Sequence, residues 1–408
     1  MRLLLVVEEE NLGGAELSFL ELSRSLATRA QVHLALGQRA LQKHSAVYSA
    51  LSNHGVMLHV CRHRLNPGTA SNLHRLLRRG AAGELAGLIR SIGPTTILVN
   101  MPTVERGQAV ADAVGLVSPR FPVWGLLHLV QPPSVIGARL GRLRDLMVST
   151  LLGRFDRLLT VSETGAEELS RRYGVARPAV IRPPTAPLQP VPSTMERTRR
   201  RAQEGLPDSF LLGMAGRVQL RQKGQDVALR VAAQLLQQGF PLHLVVIGDG
   251  PDLSGVRQLA SGLGIFSHVT FLGWRDDVGA LIPLLDAVLL PSRFEGLPQT
   301  ALQAATAHVP VVGYAVDGLN ELLPPEFRVG YGDEDGLARV LIDLLRGTQR
   351  WPSAELAQRA AAWGDPAAAS ERLLALVRAD APGAGQPHPI GFSRMQQLFR
   401  KYFRGKRE

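Results

Sequence analysis

Short apolar runs alternate with amphipathic stretches along most of this chain. "RLLLVV", "VHLAL", "VMLHV", "TTILVN", "PVWGLLH" and "RLLTVS" read as buried parallel strands. Between them lie helical patterns such as "AELSFLELSRSLATRA", where Phe19, Leu22 and Leu26 recur at helical spacing. The series breaks at "IRPPTAPLQPVPSTMERTRRR", where Pro183, Pro184, Pro187, Pro190 and Pro192 mark a linker. A second series follows: "FLLGMAG", "HLVVIGDG", "VTFLG", "AVLLPS" and "VPVVGY". Two successive βαβα series predict an α/β chain of two Rossmann-like, doubly wound domains facing a cleft, over residues 1–185 and 186–378. Residues 379–408 read as a Pro/Gly connector followed by a basic amphipathic tail. Ligands in such sheets sit at the carboxyl ends of the strands, so the cleft is the expected site.

Composition agrees with two cores: the chain has 408 residues and is 45% hydrophobic. No uncharged apolar run reaches the roughly 18 residues of a spanning helix. The start, "MRLLLVVEEE", turns acidic too soon for a signal peptide. Cys61 is the only cysteine, so no internal disulfide is expected and a cytoplasmic setting is favoured. A formal charge of +11 bears on partners: nucleic acid, an anionic membrane surface or anionic small molecules. The basic residues are mostly Arg scattered through helices, no nucleic-acid motif accompanies them, and aromatics make up 5%. Nucleic acid is therefore not expected as a partner.

Several turns invite chemistry, each beside a plainer reading. Gly13 and Gly14 precede a helix, where backbone amides can approach a phosphate; a plain strand-to-helix turn explains them equally. Arg217 and Lys223 bracket a loop after a strand, so both can reach one anion, or both can be solvated surface charge. "VVIGDGPD", with Gly248, and "LGWRDDV" are weak signals taken singly. Asp333, Glu334 and Asp335 contain a D-x-D pattern, but Asp333 reads better as a helix N-cap. His128 ends a strand, as a buried core histidine or as part of the cleft wall. Glu295 stands on a Gly-Pro turn before a helix, complementing the helix end or joining a site there. No acid–base dyad, nucleophile triad or metal cluster is evident. Gly turns, Arg, Lys and helix N-termini suit electrostatic stabilisation of a leaving phosphate.

Together these residues resemble retaining glycosyltransferases of the GT-B fold, family 4 type (group 1 glycosyltransferases). The matching features are the early "GGAE", Gly216-Arg217 to Lys223-Gly224, "GDGP", Asp286 before "VLLPSRFEGLP", and "DGLNE" where a Gly-Gly-x-x-Glu loop is usual. The resemblance covers nearly the whole chain except roughly the last thirty residues. It implies a nucleotide-sugar donor, UDP- or GDP-linked, held mainly by the second domain, and a glycan or lipid-linked acceptor held mainly by the first. Arg217 and Lys223 then grip the donor diphosphate, Glu295 meets the sugar hydroxyls, and His128 contacts the sugar from the first domain. Gly13, Gly14, Gly216, Gly248, Gly296 and Leu297 line the donor. The implied chemistry is a metal-independent retaining hexosyl transfer without a cofactor, the departing phosphate itself taking the acceptor's proton.

The chain departs from that pattern. Gln303 stands where a second Glu usually holds the ribose, and an amide accepts weaker bonds than a carboxylate. Asp317 replaces the first glycine of the Gly-Gly loop, and "IRPPT" stands where an Asn-Gly turn is common. A non-catalytic nucleotide-sugar-binding protein of the same fold is therefore the alternative. In the tail, Phe392, Met395, Leu398, Phe399, Tyr402 and Phe403 share one helical face among basic residues. That pattern over 392–407 suits an anionic membrane interface, peripheral on its inner face, or a terminal helix docking back on the protein.

Overall fold

The structure, a computed structural model, describes residues 1–66, 78–186 and 191–380. The expected tail, 392–407, lies outside the described residues. Two parallel sheets carry the fold. The first has seven strands in the order β3-β2-β1-β4-β5-β6-β7 and the second six in the order β10-β9-β8-β11-β12-β13. The first comprises β1 (Arg2–Val7), β2 (Gln31–Gly37), β3 (Met57–Cys61), β4 (Thr96–Met101), β5 (Val123–Leu127), β6 (Arg157–Thr160) and β7 (Ala179–Val180). The second comprises β8 (Phe210–Ala215), β9 (Leu242–Ile247), β10 (Val269–Gly273), β11 (Ala287–Leu290), β12 (Val311–Tyr314) and β13 (Arg328–Val329). The expected pair of doubly wound, Rossmann-like domains is present. β7 and β13 were not legible, because two residues carry no periodicity.

Each central strand is apolar on both faces because helices cover both. Along β1, Leu3, Leu5 and Val7 enter one core while Leu4 and Val6 enter the other. β9 divides likewise, Val245 and Ile247 from Leu244 and Val246. This two-sided burial is why the strands read as continuous apolar runs. One of the cores runs through both domains, from Leu5 and Phe19 to Leu302 and Leu374.

The last helices join the domains. Helix Ser353–Gly364 packs on helix Gln299–Thr306, and helix Pro366–Ala379 then crosses to helix Gly14–Ala27 beside the first sheet. Ser25 Oγ and Ser370 Oγ are 3.0 Å apart, and Arg29 pairs with Glu371 at 2.9 Å. The Thr185 amide donates to the Gly364 carbonyl at 2.9 Å, so outgoing and returning segments touch. Asp333 caps helix Glu334–Leu345, accepting the Gly336 amide at 2.7 Å, as its position predicted.

Candidate active site

The carboxyl ends of β8, β9 and β11 are stitched to one another. Asp252, in the "GDGPD" turn, accepts the Leu220 amide at 2.8 Å, and the Val218 amide donates to the Asp249 carbonyl at 2.9 Å. Arg293 donates to the Leu220 carbonyl at 2.6 Å and pairs with Asp226 at 3.0 Å, while its own amide donates to the Gln222 carbonyl at 2.8 Å. Short helix Leu220–Lys223 is thus held from both sides, and Lys223 with it.

Lys223 Nζ donates to Glu295 Oε1 at 2.6 Å. The Glu295 side chain is buried and that of Lys223 largely so. Glu295 therefore does not simply complement the following helix; it is committed to a cation from the next strand-end loop. The Glu295 amide donates to Asp317 Oδ2 at 2.8 Å, and Asp317 Oδ1 accepts from Gln131 of the first domain at 3.2 Å. Asp317 has φ +38°, a left-handed conformation that explains the usefulness of glycine there. Burial, with the neighbouring Glu295 charge, pushes its carboxyl up to about 6 against the Glu295 amide and Gln131.

Backbone contacts bring the domains together at the same place. A side chain on Gly296 would begin 2.0 Å from the His128 carbonyl, and one on Gly318 would begin 2.1 Å from the Gly296 carbonyl. The amides of Gly296 and Leu297 donate to no acceptor among the described residues. The Leu297 side chain is buried in the core. His128 follows β5, donates its amide to the Met101 carbonyl at 3.0 Å and leaves Nε2 buried without a partner among the described residues. Burial drives its pKa down to about 3, so the ring is neutral.

Across from this loop, a Cβ on Gly14 would meet the Gln299 side chain at 3.5 Å, so the Gly13-Gly14 turn faces the second domain. The Gly13 amide donates to Glu16 Oε2 at 2.9 Å. Arg217 is exposed at the end of β8 and forms no ion pair among the described residues. Gly216 and Gly248 have φ +142° and +140°, and a Cβ on Gly248 would lie 2.0 Å from the Gly216 carbonyl, so backbone conformation and close loop contact both demand that glycine. Gln303 is half-buried in helix Gln299–Thr306. Gly216, Lys223, Gln225 and Ser292 line a small crevice, about 10 Å³, into the second sheet's ends. Gln225 Oε1 and Ser292 Oγ are buried there without partners among the described residues.

Other features escaped the sequence reading. Glu321, of "DGLNE", accepts the Thr164 amide and hydroxyl, each at 2.7 Å, and pairs with Arg182 at 2.6 Å. Ser162 caps helix Glu163–Tyr173 through the Gly165 amide, and Glu321 of the second domain takes up a further first-turn amide of that helix. Asp286 pairs with Arg197 and Arg201, each at 2.8 Å, and so ties helix Thr194–Gln203 to the sheet. In the first domain, Glu8 and Glu16 are pushed up to about 7 each by burial. Glu8, Glu9, Glu10, Arg39, Arg62 and Arg64 line a cavity of about 240 Å³ beyond β1, β2 and β3. The only sequence signal near it is the run of three acids, Glu8–Glu10, directly after β1. Among the described residues no group of three or more His, Cys, Asp or Glu is placed to hold a metal ion.

Two parallel-sheet domains meet here with their strand ends facing one cleft. The fold is GT-B. Residues 209–347 match the family model described as glycosyl transferases group 1. The GT-B structure of Anabaena Alr3699/HepE in complex with UDP and glucose superposes with a TM-score of 0.75 at 20% identity, covering 93% of this chain and 99% of that one. WaaG, a glycosyltransferase involved in lipopolysaccharide biosynthesis, gives 0.67 at 16%, covering 92% and 99%. A 2-deoxystreptamine glucosyltransferase of Streptomyces kanamyceticus is 28% identical over 233 residues, 54% of this chain and 59% of that protein. A D-inositol 3-phosphate glycosyltransferase of Salinispora tropica is 34% identical over 189 residues, 42% and 39%. These matches span less than two thirds of either curated relative. The Lys223–Glu295 pair of this GT-B chain lies inside the matched segment.

Proposed function

We propose that this protein is a retaining glycosyltransferase that moves a sugar from a nucleotide-diphosphate sugar to a hydroxyl of a glycan or glycolipid acceptor, at the cytoplasmic face of the cell. The carrying observation is the Lys223–Glu295 ion pair, with Arg217 exposed just past β8 and in no ion pair among the described residues, and with neutral His128 of the other domain setting its carbonyl against Gly296. Solved structures of the same fold hold UDP and UDP-glucose, which favours a UDP-sugar as donor.

The residues divide the work electrostatically. Arg217 and Lys223 neutralise the diphosphate as its bond to the sugar breaks, supplying what a metal ion supplies elsewhere. Glu295 holds Lys223 in place and accepts from sugar hydroxyls through its second oxygen. The free amides of Gly296 and Leu297 point a positive edge at the developing oxyanion. His128, neutral, exchanges a hydrogen bond with the sugar rather than a proton. The acceptor hydroxyl attacks from the leaving-group face, and the departing phosphate oxygen takes its proton. The 240 Å³ cavity beside Glu8–Glu10 belongs to the acceptor's side.

A thermal-shift screen across UDP- and GDP-sugars, followed by a transfer assay, tests the reading. A donor that raises the melting temperature and releases its nucleotide only with acceptor supports it. Binding without release under any acceptor would favour the non-catalytic alternative.

A further inference from the structure

Five large apolar side chains stand exposed in one stretch of the first domain: Val135 44%, Leu140 60%, Leu143 52%, Leu146 66% and Met147 42%. Three belong to helix Gly141–Leu152, whose other face is buried through Arg144, Val148, Leu151 and Leu152. Leu143, Leu146 and Met147 recur at spacings of three and four, so they share the outward face. Soluble proteins usually expose such side chains singly, and a contiguous row marks an interaction site. Arg139 and Arg142 are exposed on the same stretch, and neither forms an ion pair among the described residues. Asp145, the only acid of the helix, is turned to the Ser134 amide at 3.0 Å. The face is therefore apolar and cationic, with its one carboxylate engaged.

We propose that this face docks on a bilayer carrying anionic headgroups, the leucines and methionine entering the interface and the two arginines meeting phosphates. Charge selects this occupant. The protein carries +11 overall. The chain's own tail is basic, so folding it onto Arg139 and Arg142 would oppose like charges. A two-fold contact with a second copy would bring the same arginines near one another.

The place also suits a membrane-bound partner. The stretch continues from His128 and Gln131 in the cleft, and Arg221 of the second domain donates to the Val135 carbonyl at 3.1 Å. A bilayer seated on helix Gly141–Leu152 lies beside the cleft mouth. Docking stands on this face alone; its use, delivery of a lipid-linked acceptor, rests on the transferase reading.

The test is co-sedimentation of the full-length protein with vesicles of phosphatidylcholine and phosphatidylglycerol, against phosphatidylcholine alone. Wild type should bind the mixed vesicles at low salt and less at high salt. The double variant Leu143→Ser/Leu146→Ser should bind at least about tenfold less, the scale of losing one buried leucine from an apolar phase, with an unchanged circular-dichroism melt. Arg139→Glu/Arg142→Glu should lose the preference for the anionic lipid. Equal binding by wild type and the leucine variant overturns the proposal and leaves the contact to the tail. So does a wild-type dimer that dissociates in the leucine variant while vesicle binding stays unchanged. The donor-induced thermal shift, measured on the same samples, reports the transferase reading separately, since neither pair of substitutions touches the donor site.

Discussion

Lys223 and Glu295, 72 positions apart in sequence, share a hydrogen bond of 2.6 Å between the ends of two adjacent strands. The pair holds a cation ready at the site while keeping a buried acid satisfied. Arg217, six residues before Lys223, stands exposed and unpaired among the described residues. The two cations should therefore answer differently to removal. Lys223→Ala and Arg217→Ala should each slow transfer by roughly two orders of magnitude, the scale for one preorganised donor. Only Lys223→Ala should also lower stability, by about 3 kcal/mol, because it strands the Glu295 charge. Steady-state rates paired with urea melts check this. Wild-type rates in both variants would remove the diphosphate role.

The glycine contacts between the domains permit a paired test. Gly296→Ala would set a methyl 2.0 Å from the His128 carbonyl, and the two domains would have to part. Donor affinity and rate should both fall, with a lower melting temperature. Gly83→Ala, inside helix Arg79–Ile92 with nothing within 4 Å of its added carbon, should raise stability by about 0.5–1 kcal/mol and leave the rate alone.

Asp317 sets a pH dependence. Its folded pKa, about 6, lies above the usual 3.8, chiefly through burial and then through the Glu295 charge, with Glu168 adding to it. A raised acid binds more protons folded than unfolded, so its contribution to stability is fully present below the unfolded value and is lost as pH rises through the folded one. Asp317→Asn keeps an oxygen for the Glu295 amide and removes the titration. The variant should gain stability over wild type progressively between about pH 4 and 6, reaching about 3 kcal/mol above that window. Denaturant midpoints at pH 4, 5, 6 and 7 check the sign. A constant difference across that range would mean that Asp317 does not titrate there.

Gln303→Glu tests the departure one turn into helix Gln299–Thr306. A carboxylate accepts charge-assisted bonds that an amide cannot, so donor affinity should rise if the ribose hydroxyls reach this position. Calorimetric titration with the donor found by thermal shift reads the change. Unchanged affinity would place the ribose elsewhere.

Much of this was legible in sequence because parallel strands buried on both faces leave continuous apolar runs, and β1, β4, β5, β9 and β11 all did. The candidate residues were legible too, since Gly216-Arg217, Lys223-Gly224 and Glu295-Gly296 sit at strand ends. Their mutual contacts were not. Nothing local tells that Lys223 reaches Glu295, or that Arg293 and Asp226 clamp the loop carrying Lys223. Asp317 looked like a lost glycine; in three dimensions its carboxylate takes up an amide and a side chain from opposite domains. Glu321 read as the acid closing that loop, and in three dimensions it takes up a first-turn amide of a helix across the domain boundary. Such roles depend on pairings between distant positions, which periodicity does not encode.

The crossing of helix Pro366–Ala379 to helix Gly14–Ala27 also constrains how the lobes can move. Two bodies tied by one thread can swing, twist and slide. Here two threads run between the lobes, and they touch where the Thr185 amide meets the Gly364 carbonyl. Adjacent tethers leave one easy axis, a line through that contact, and resist rotation about the others. Opening of the cleft is then a single angular coordinate, so probes on the outer rims should separate in proportion to their distance from this line.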